Sequence, residues 1–314
     1  MIALPKTPGI TVKSRAGAAA ILPAMRHALA PFAALLAAAF FGSSATADPA
    51  ALPQLKAYEA PESWRTPMAQ PLRISDHVWQ IGSQGITALL IKTDAGALLI
   101  DGGMPQMADT LLAQMKQLGV GPGQLRYLLH THAHADHVGP LAAVKRATGA
   151  TLITNAESAT MLARGGTADI HFGDDISYPP VQADRLLQDG EEVQLGALTL
   201  QVHFTPGHTP GSMSWTWTDT MGGKPVRIAY VDSITAPGYR IVGNPRYPHL
   251  LDDYRRSFAM VRQLPCDLLL TPHPDFSGWD YGNAAKPHME HVSCVAYADQ
   301  AERNIEAQVK KQKP

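Results

Sequence analysis

The feature that most constrains this chain is the stretch Thr131-His132-Ala133-His134-Ala135-Asp136-His137. Three histidines and one carboxylate stand together there, directly after the mostly apolar run Leu125 to Leu129. That run reads as a buried strand. The cluster therefore sits at a strand's C-terminal end, where α/β folds place their sites. Neutral imidazole and carboxylate are ligands that suit a borderline cation such as Zn²⁺. In extended backbone His132 and His134 point to one side. Asp136 and His137 then turn away toward a second point, so the spacing predicts two metal positions served by one loop. The bland alternative is a run of solvated loop histidines. It leaves four ligand-type side chains crowded together, repelling when protonated, with no metal to organise them.

The rest of the chain sets the compartment and excludes some partners. Residues 1–47 hold Lys6, Lys13, Arg15 and Arg26 but no Asp or Glu. Ala28 to Phe41 is apolar, broken by Pro31, and Ala45-Thr46-Ala47 follows as a small-x-small site. A basic start, a short apolar core and this ending describe a secretory signal peptide. Met25-Arg26-His27 offers an internal start with ordinary proportions. The apolar run is too short for a good membrane span. The expectation is cleavage after Ala47, a periplasmic protein with no stable membrane anchor, and one domain over 48–314. Removing those four cations leaves 22 Lys and Arg against 27 Asp and Glu, a net charge of −5. That balance argues against a nucleic-acid partner. Oligomeric state is not legible. Cys266 and Cys294 are the only cysteines. In an exported chain an isolated pair is most simply a disulfide; two free buried thiols are the competing reading.

Strand patterns cover 77–81, 87–91 and 97–100, followed by Asp101-Gly102-Gly103. Asp101 is either a turn residue or an acceptor for a histidine N–H beneath the cluster. Helical periodicity spans 106–118, 138–148, 157–164 and 251–264, and residues 287–311 read as a C-terminal helix. Residues 48–72 read as an extended segment in which Trp64 packs the domain or covers a pocket. The loop 167–185 is long enough to wall a cleft, and His171 in it reads as structural. His208 lies in the rigid turn Thr205-Pro206-Gly207-His208-Thr209-Pro210-Gly211, and His273 lies between Pro272 and Pro274. Both follow apolar strands, so histidines arrive at successive strand ends.

Taken together, His132-x-His134-x-Asp136-His137, Gly207-His208-Thr209-Pro210-Gly211 and the late His273 resemble the metallo-β-lactamase superfamily. Asp101-Gly102-Gly103-Met104-Pro105, Phe172-Gly173-Asp174, and the stretches 228–256 and 270–281 look like its exported subclass B3 lactamases. The resemblance runs from about Trp64 to about Gln300 and implies a single-domain αββα sandwich. It implies two Zn²⁺ per chain, one on His132, His134 and His208 and the other on Asp136, His137 and His273. Ser233 stands where subclass B3 has a serine in place of another subclass's ligand cysteine. Thr235 stands where some members carry another serine. Ser233 and Thr235 would bind the substrate carboxylate, with Phe172, Ile176 and Trp64 as apolar walls. The Cys266–Cys294 pair also matches a family disulfide.

The activity so implied is hydrolysis of the β-lactam amide bond in penicillins, cephalosporins and carbapenems, conferring antibiotic resistance. A metal-bound hydroxide, oriented by Asp136, would be the nucleophile. No SxxK, SDN, KTG or GxSxG motif is present to support a serine route. A lactonase or glyoxalase II type of the same superfamily is the first alternative. Those enzymes use a bridging aspartate near Asp232-Ser233, so which of these two residues faces the metals discriminates. A non-catalytic periplasmic metal-binding protein is the second.

Overall fold

Apolar residues alternate along the strands, and the alternation builds three layers of core. The computed structural model describes residues 60–313. The signal peptide expected at 1–47, with its internal start at Met25, lies outside the described residues. The first sheet runs in the order β1 (Leu72–Arg73), β2 (Val78–Gln80), β3 (Leu89–Thr93), β4 (Gly96–Ile100), β5 (Leu125–Leu129), β6 (Thr151–Thr154) and β7 (Arg185–Leu186). It is antiparallel from β1 to β4 and parallel from β4 to β7. The second sheet contains β8 (Glu192–Leu195), β9 (Leu198–Phe204), β10 (Met213–Met221), β11 (Lys224–Tyr230) and β12 (Leu268–Leu270), with β12 parallel to β11 and the rest antiparallel.

Leu89, Ile91, Leu98, Ile100 and Leu129 face the second sheet, where Val202, Met213, Trp215, Ile228 and Leu270 meet them. Their neighbours Leu90, Leu99 and Leu128 face the other way. There they pack against α2 (Ala108–Gln117), α4 (Leu141–Thr148) and α5 (Ala156–Ala163) through Leu111, Leu141, Val144 and Leu162. On the far face of the second sheet, Ala229 and Leu269 meet Tyr254 and Phe258 of α6 (Leu250–Val261) and Ala298 and Ile305 of α7 (Cys294–Gln312). Period-two burial on both faces of both sheets gives the αββα sandwich.

Four local details differ from the sequence reading. A short helix, α1 (Glu62–Arg65), interrupts the N-terminal segment, which lies along residues 82–85 through Met68 N–H to Gly82 O and Gly85 N–H to Ser63 O. The helix expected at 138–148 is two, because α3 (Ala135–Val138) starts inside the histidine cluster and Pro140 separates it from α4. Pro lacks the N–H a continuous helix would use there. The loop 167–185 ends in β7, which closes the first sheet beside β6. The C-terminal helix starts at Cys294, not 287, where Ser293 caps it by accepting the Ala296 N–H. Upstream, His288 pairs with Trp279 and Met289 N–H donates to Gly278 O, so that backbone is already committed. Cys266 and Cys294 form the disulfide, joining the approach to β12 with the first residue of α7. No described helix is long and apolar enough to cross a membrane.

Candidate metal centre

Backbone that leaves a strand end without continuing the sheet can aim its side chains at one point. β5 delivers His132 and His134, α3 carries Asp136 and His137, the β9–β10 connection carries His208, and the segment after β12 carries His273. The ring centres of His132 lie 4.8 Å from His134, 4.5 Å from His208 and 4.2 Å from His137; His137 lies 5.1 Å from His273. Among the described residues two groups offer ligand atoms within 4.8 Å of one another: His132, His134 and His208, and His132, Asp136 and His137. His273 joins the edge of the second, with Nε2 3.7 Å from Asp136 Oδ2.

Protein acceptors choose which ring nitrogen is free. His132 Nδ1 is 2.7 Å from Asp232 Oδ1 with both side chains buried, and its Nε2 is buried without a hydrogen bond. Burial holds His132 well below the usual imidazole range and lifts the Asp232 carboxyl to about 8. His208 donates Nδ1–H to Thr235 O at 2.8 Å. Burial, with His134 nearby, keeps His208 neutral too. Burial works against the Asp136 charge, but His137, His273 and His134 outweigh it and hold the carboxyl far below its usual range. Imidazoles with orphaned buried nitrogens around an ionised carboxylate are what a divalent cation needs and what an apolar core would not tolerate. The donor set therefore fits a metal.

Asp101 is fully buried, with φ 60. It accepts Thr131 N–H at 2.8 Å, Thr131 Oγ1–H at 2.9 Å and Tyr230 O–H at 2.6 Å, so it fixes the strand end and ties the two sheets beneath the cluster. His137 Nδ1 stays 3.9 Å away, beyond a hydrogen bond. The Trp64 ring meets that of His273 at a tilt, with centres 4.7 Å apart, and Trp64 and Thr235 line a cleft of about 780 Å³. Phe172 and Ile176 line an adjoining cavity of about 90 Å³ with His134, Asp136 and His208. Ser233 lines neither; it is buried, and its hydroxyl has no hydrogen-bond partner among the described residues. The sequence reading also missed Asp169, 2 % exposed and 3.4 Å from His134 Nε2, and Tyr239, which packs on His208. Nothing in a loop aspartate's sequence neighbours signals such a contact.

A metallo-β-lactamase superfamily model matches residues 82–220. Among solved structures the chain is 35 % identical to metallo-β-lactamase MIM-1 from Novosphingobium pentaromativorans, covering 81 % of this chain and 94 % of that one at a TM-score of 0.73. It is 32 % identical to BJP-1, a subclass B3 metallo-β-lactamase of Bradyrhizobium japonicum, covering 80 % and 97 % at 0.72. This chain belongs to the metallo-β-lactamase superfamily, a hydrolase family, and its sandwich and metal-binding cluster are those of that fold. Within it, the strong structural likeness is to subclass B3. By sequence it is also 38 % identical over 170 residues to a hydroxyacylglutathione hydrolase of Anaeromyxobacter dehalogenans (strain 2CP-C), covering 49 % of this chain and 56 % of that protein. The chain spans about half the length of the curated relatives it matches.

Proposed function

We propose that this chain is a zinc-dependent β-lactamase, hydrolysing the β-lactam amide bond of penicillins, cephalosporins and carbapenems and so conferring resistance. The observation that carries this reading is the place of Asp232. Its Oδ1 is engaged by His132 Nδ1, behind the cluster, and it belongs to neither convergent ligand group. A thioester or lactone hydrolase of this superfamily would need that carboxylate between the metals. On this reading His132, His134 and His208 hold one Zn²⁺, and Asp136, His137 and His273 hold a second. Bound zinc supplies Lewis-acid polarisation of a carbonyl and makes a water nucleophilic near neutral pH.

The chain's own groups do the rest. Asp136 stays ionised and accepts a hydrogen bond from the attacking water, orienting it. Trp64, Phe172 and Ile176 give the substrate apolar walls and exclude other water. Thr235, on the cleft wall, donates its hydroxyl to the substrate carboxylate, a role Ser233 is too buried to share. Export to the periplasm belongs to the same reading and rests on the signals in residues 1–47.

The test is hydrolysis of a carbapenem, a lactone and a glutathione thioester by purified protein, with and without a chelator. Carbapenem turnover is expected, abolished by the chelator and restored by zinc. Turnover of lactone or thioester without carbapenem would sink the reading in favour of the hydroxyacylglutathione hydrolase likeness. Metal-loaded protein inert toward all three would favour a non-catalytic role.

A further inference from the structure

Two strands that end near the metal cluster begin at a second cavity. β4 runs from Gly96 to Ile100, just before Asp101, and β9 from Leu198 to Phe204, ahead of His208. At their starts, roughly 20 Å away by strand length, lies a cavity of about 650 Å³. Trp79 and Lys92 line it from the first sheet, and Leu198 and Pro225 from the second. Its volume falls within the range of small-molecule pockets. One side chain in it is held by a buried carboxyl group. Asp219 is 5 % exposed. Its Oδ1 is 2.6 Å from His77 Nδ1, and its Oδ2 accepts the His77 backbone N–H at 3.1 Å and the Ser75 hydroxyl. The His77 side chain is 52 % exposed, so the ring edge away from Asp219 is open.

With Nδ1–H donated to Asp219, the neutral His77 ring offers its Nε2 lone pair as an acceptor. Asp94 stands exposed on the same rim. Lys92, the cation among the lining residues, is already engaged: Nζ donates to Leu118 O and lies 5.2 Å from the Trp79 ring centre. Arg73, 5.8 Å from the same ring, pairs with Asp76. The lining thus sets two carboxylates, Asp94 and Asp219, against one ammonium, and the open groups, His77 Nε2 and the Asp94 carboxylate, both accept hydrogen bonds. We propose that this cavity is a second ligand site, taking a small organic cation, an apolar body that carries one ammonium group. Leu198, Ala197 and Pro225 take the apolar body, and the ammonium donates to His77 Nε2 and Asp94. An anion of the same shape meets two carboxylates and finds no free donor of charge. The ligand bridges the sandwich, because β2 and β3 belong to the first sheet and β9 to β11 to the second. The inference does not rest on the hydrolytic reading.

Phenylethylammonium and phenylpropionate have nearly the same shape and opposite charge, so the pair tests the assignment. Each is titrated into the purified chain in mildly alkaline buffer and followed by ¹H–¹⁵N spectra. The ammonium is expected to shift the Trp79 indole N–H, the His77 Nε2 resonance and the backbone amides of 92–95 and 196–198, and to bind about tenfold tighter than the carboxylate. Asp94→Asn, an exposed change, is expected to weaken the ammonium about three- to fivefold, the size of an exposed ion pair, with metal content and hydrolysis unchanged. The His77 readout comes from the wild type and holds whatever the variant does. Equal affinity for the two probes, ammonium-induced shifts confined to the metal cluster, no shifts in either place, or an Asp94→Asn chain that binds the ammonium as the wild type does overturns the inference.

Discussion

Each histidine of the cluster is set by what its other nitrogen touches, and on the proposed two-metal reading these settings make the two positions unequal toward acid. Burial disfavours a charged His137, but Asp136 Oδ2 at 3.2 Å from its Nε2, with Asp101 and Asp232 behind, outweighs burial and raises its pKa. His132 and His208 are held well below the usual imidazole value. A raised pKa means His137 takes a proton at higher pH than a free imidazole, near 6.5, and a lowered one means His132 and His208 resist until well below it. As pH falls, the Asp136–His137–His273 position should empty first. His273, pushed down to about 4, is not the group that triggers this loss. Metal per chain after dialysis at stepped pH should fall in two steps, and His137→Ala should remove the upper one. Loss in a single step would refute the assignment. At this scale the ligand histidines were legible, because ligand-type side chains at strand ends have few other reasons to gather. Asp232 and Ser233 were not, since adjacent residues in extended chain face opposite ways, and only the structure shows Asp232 turned to His132 at 2.7 Å and Ser233 buried outside both cavities.

At the scale of elements, the site depends on turns that bring strand ends together. β5 was legible to the residue, because a short apolar run between Gly-Pro signals and a polar cluster allows little else. The start of α7 was not, because local helix periodicity does not reveal that Trp279 and Gly278 already hold residues 288 and 289. The turn carrying His208 is the most exacting. Gly207 has φ 144, and a Cβ there would stand 2.7 Å from the Tyr254 ring, whose hydroxyl in turn donates to Thr235 O. That same carbonyl accepts His208 Nδ1–H. Gly207→Ala should therefore push α6 and His208 apart, costing about 1–3 kcal/mol from backbone strain and overpacking. Urea denaturation should read that loss, and metal analysis should show less than the wild-type content. A variant with unchanged midpoint and metal content would mean the turn tolerates a side chain that this geometry excludes.

Across the whole molecule, the proposed ligands come from both sheets, and on that reading metal binding is coupled to the stability of the sandwich. His132, His134, Asp136 and His137 follow β5 of the first sheet, whereas His208 and His273 follow β9 and β12 of the second. Without a cation, the two edges meet there through imidazoles and one carboxylate. Polar links across the sheets hold them as well, among them Tyr230 O–H to Asp101, Thr87 Oγ1–H to Thr271 O, Met213 N–H to Thr131 O and Trp215 Nε1–H to His130 O. A cation that binds only the assembled site stabilises the fold by about 4 kcal/mol at a thousand times its dissociation constant. For a domain of this size that corresponds to a rise in melting temperature of roughly 8–16 °C. Chelator-treated protein should melt lower by about that amount and regain it with zinc. Its extra hydrogen exchange should concentrate at 131–138, 205–212 and 271–274, while the Cys266–Cys294 end stays protected. The disulfide closes its 28-residue separation independently of the metal. A melting temperature indifferent to chelator and zinc would show that the two edges do not need a cation to stay together.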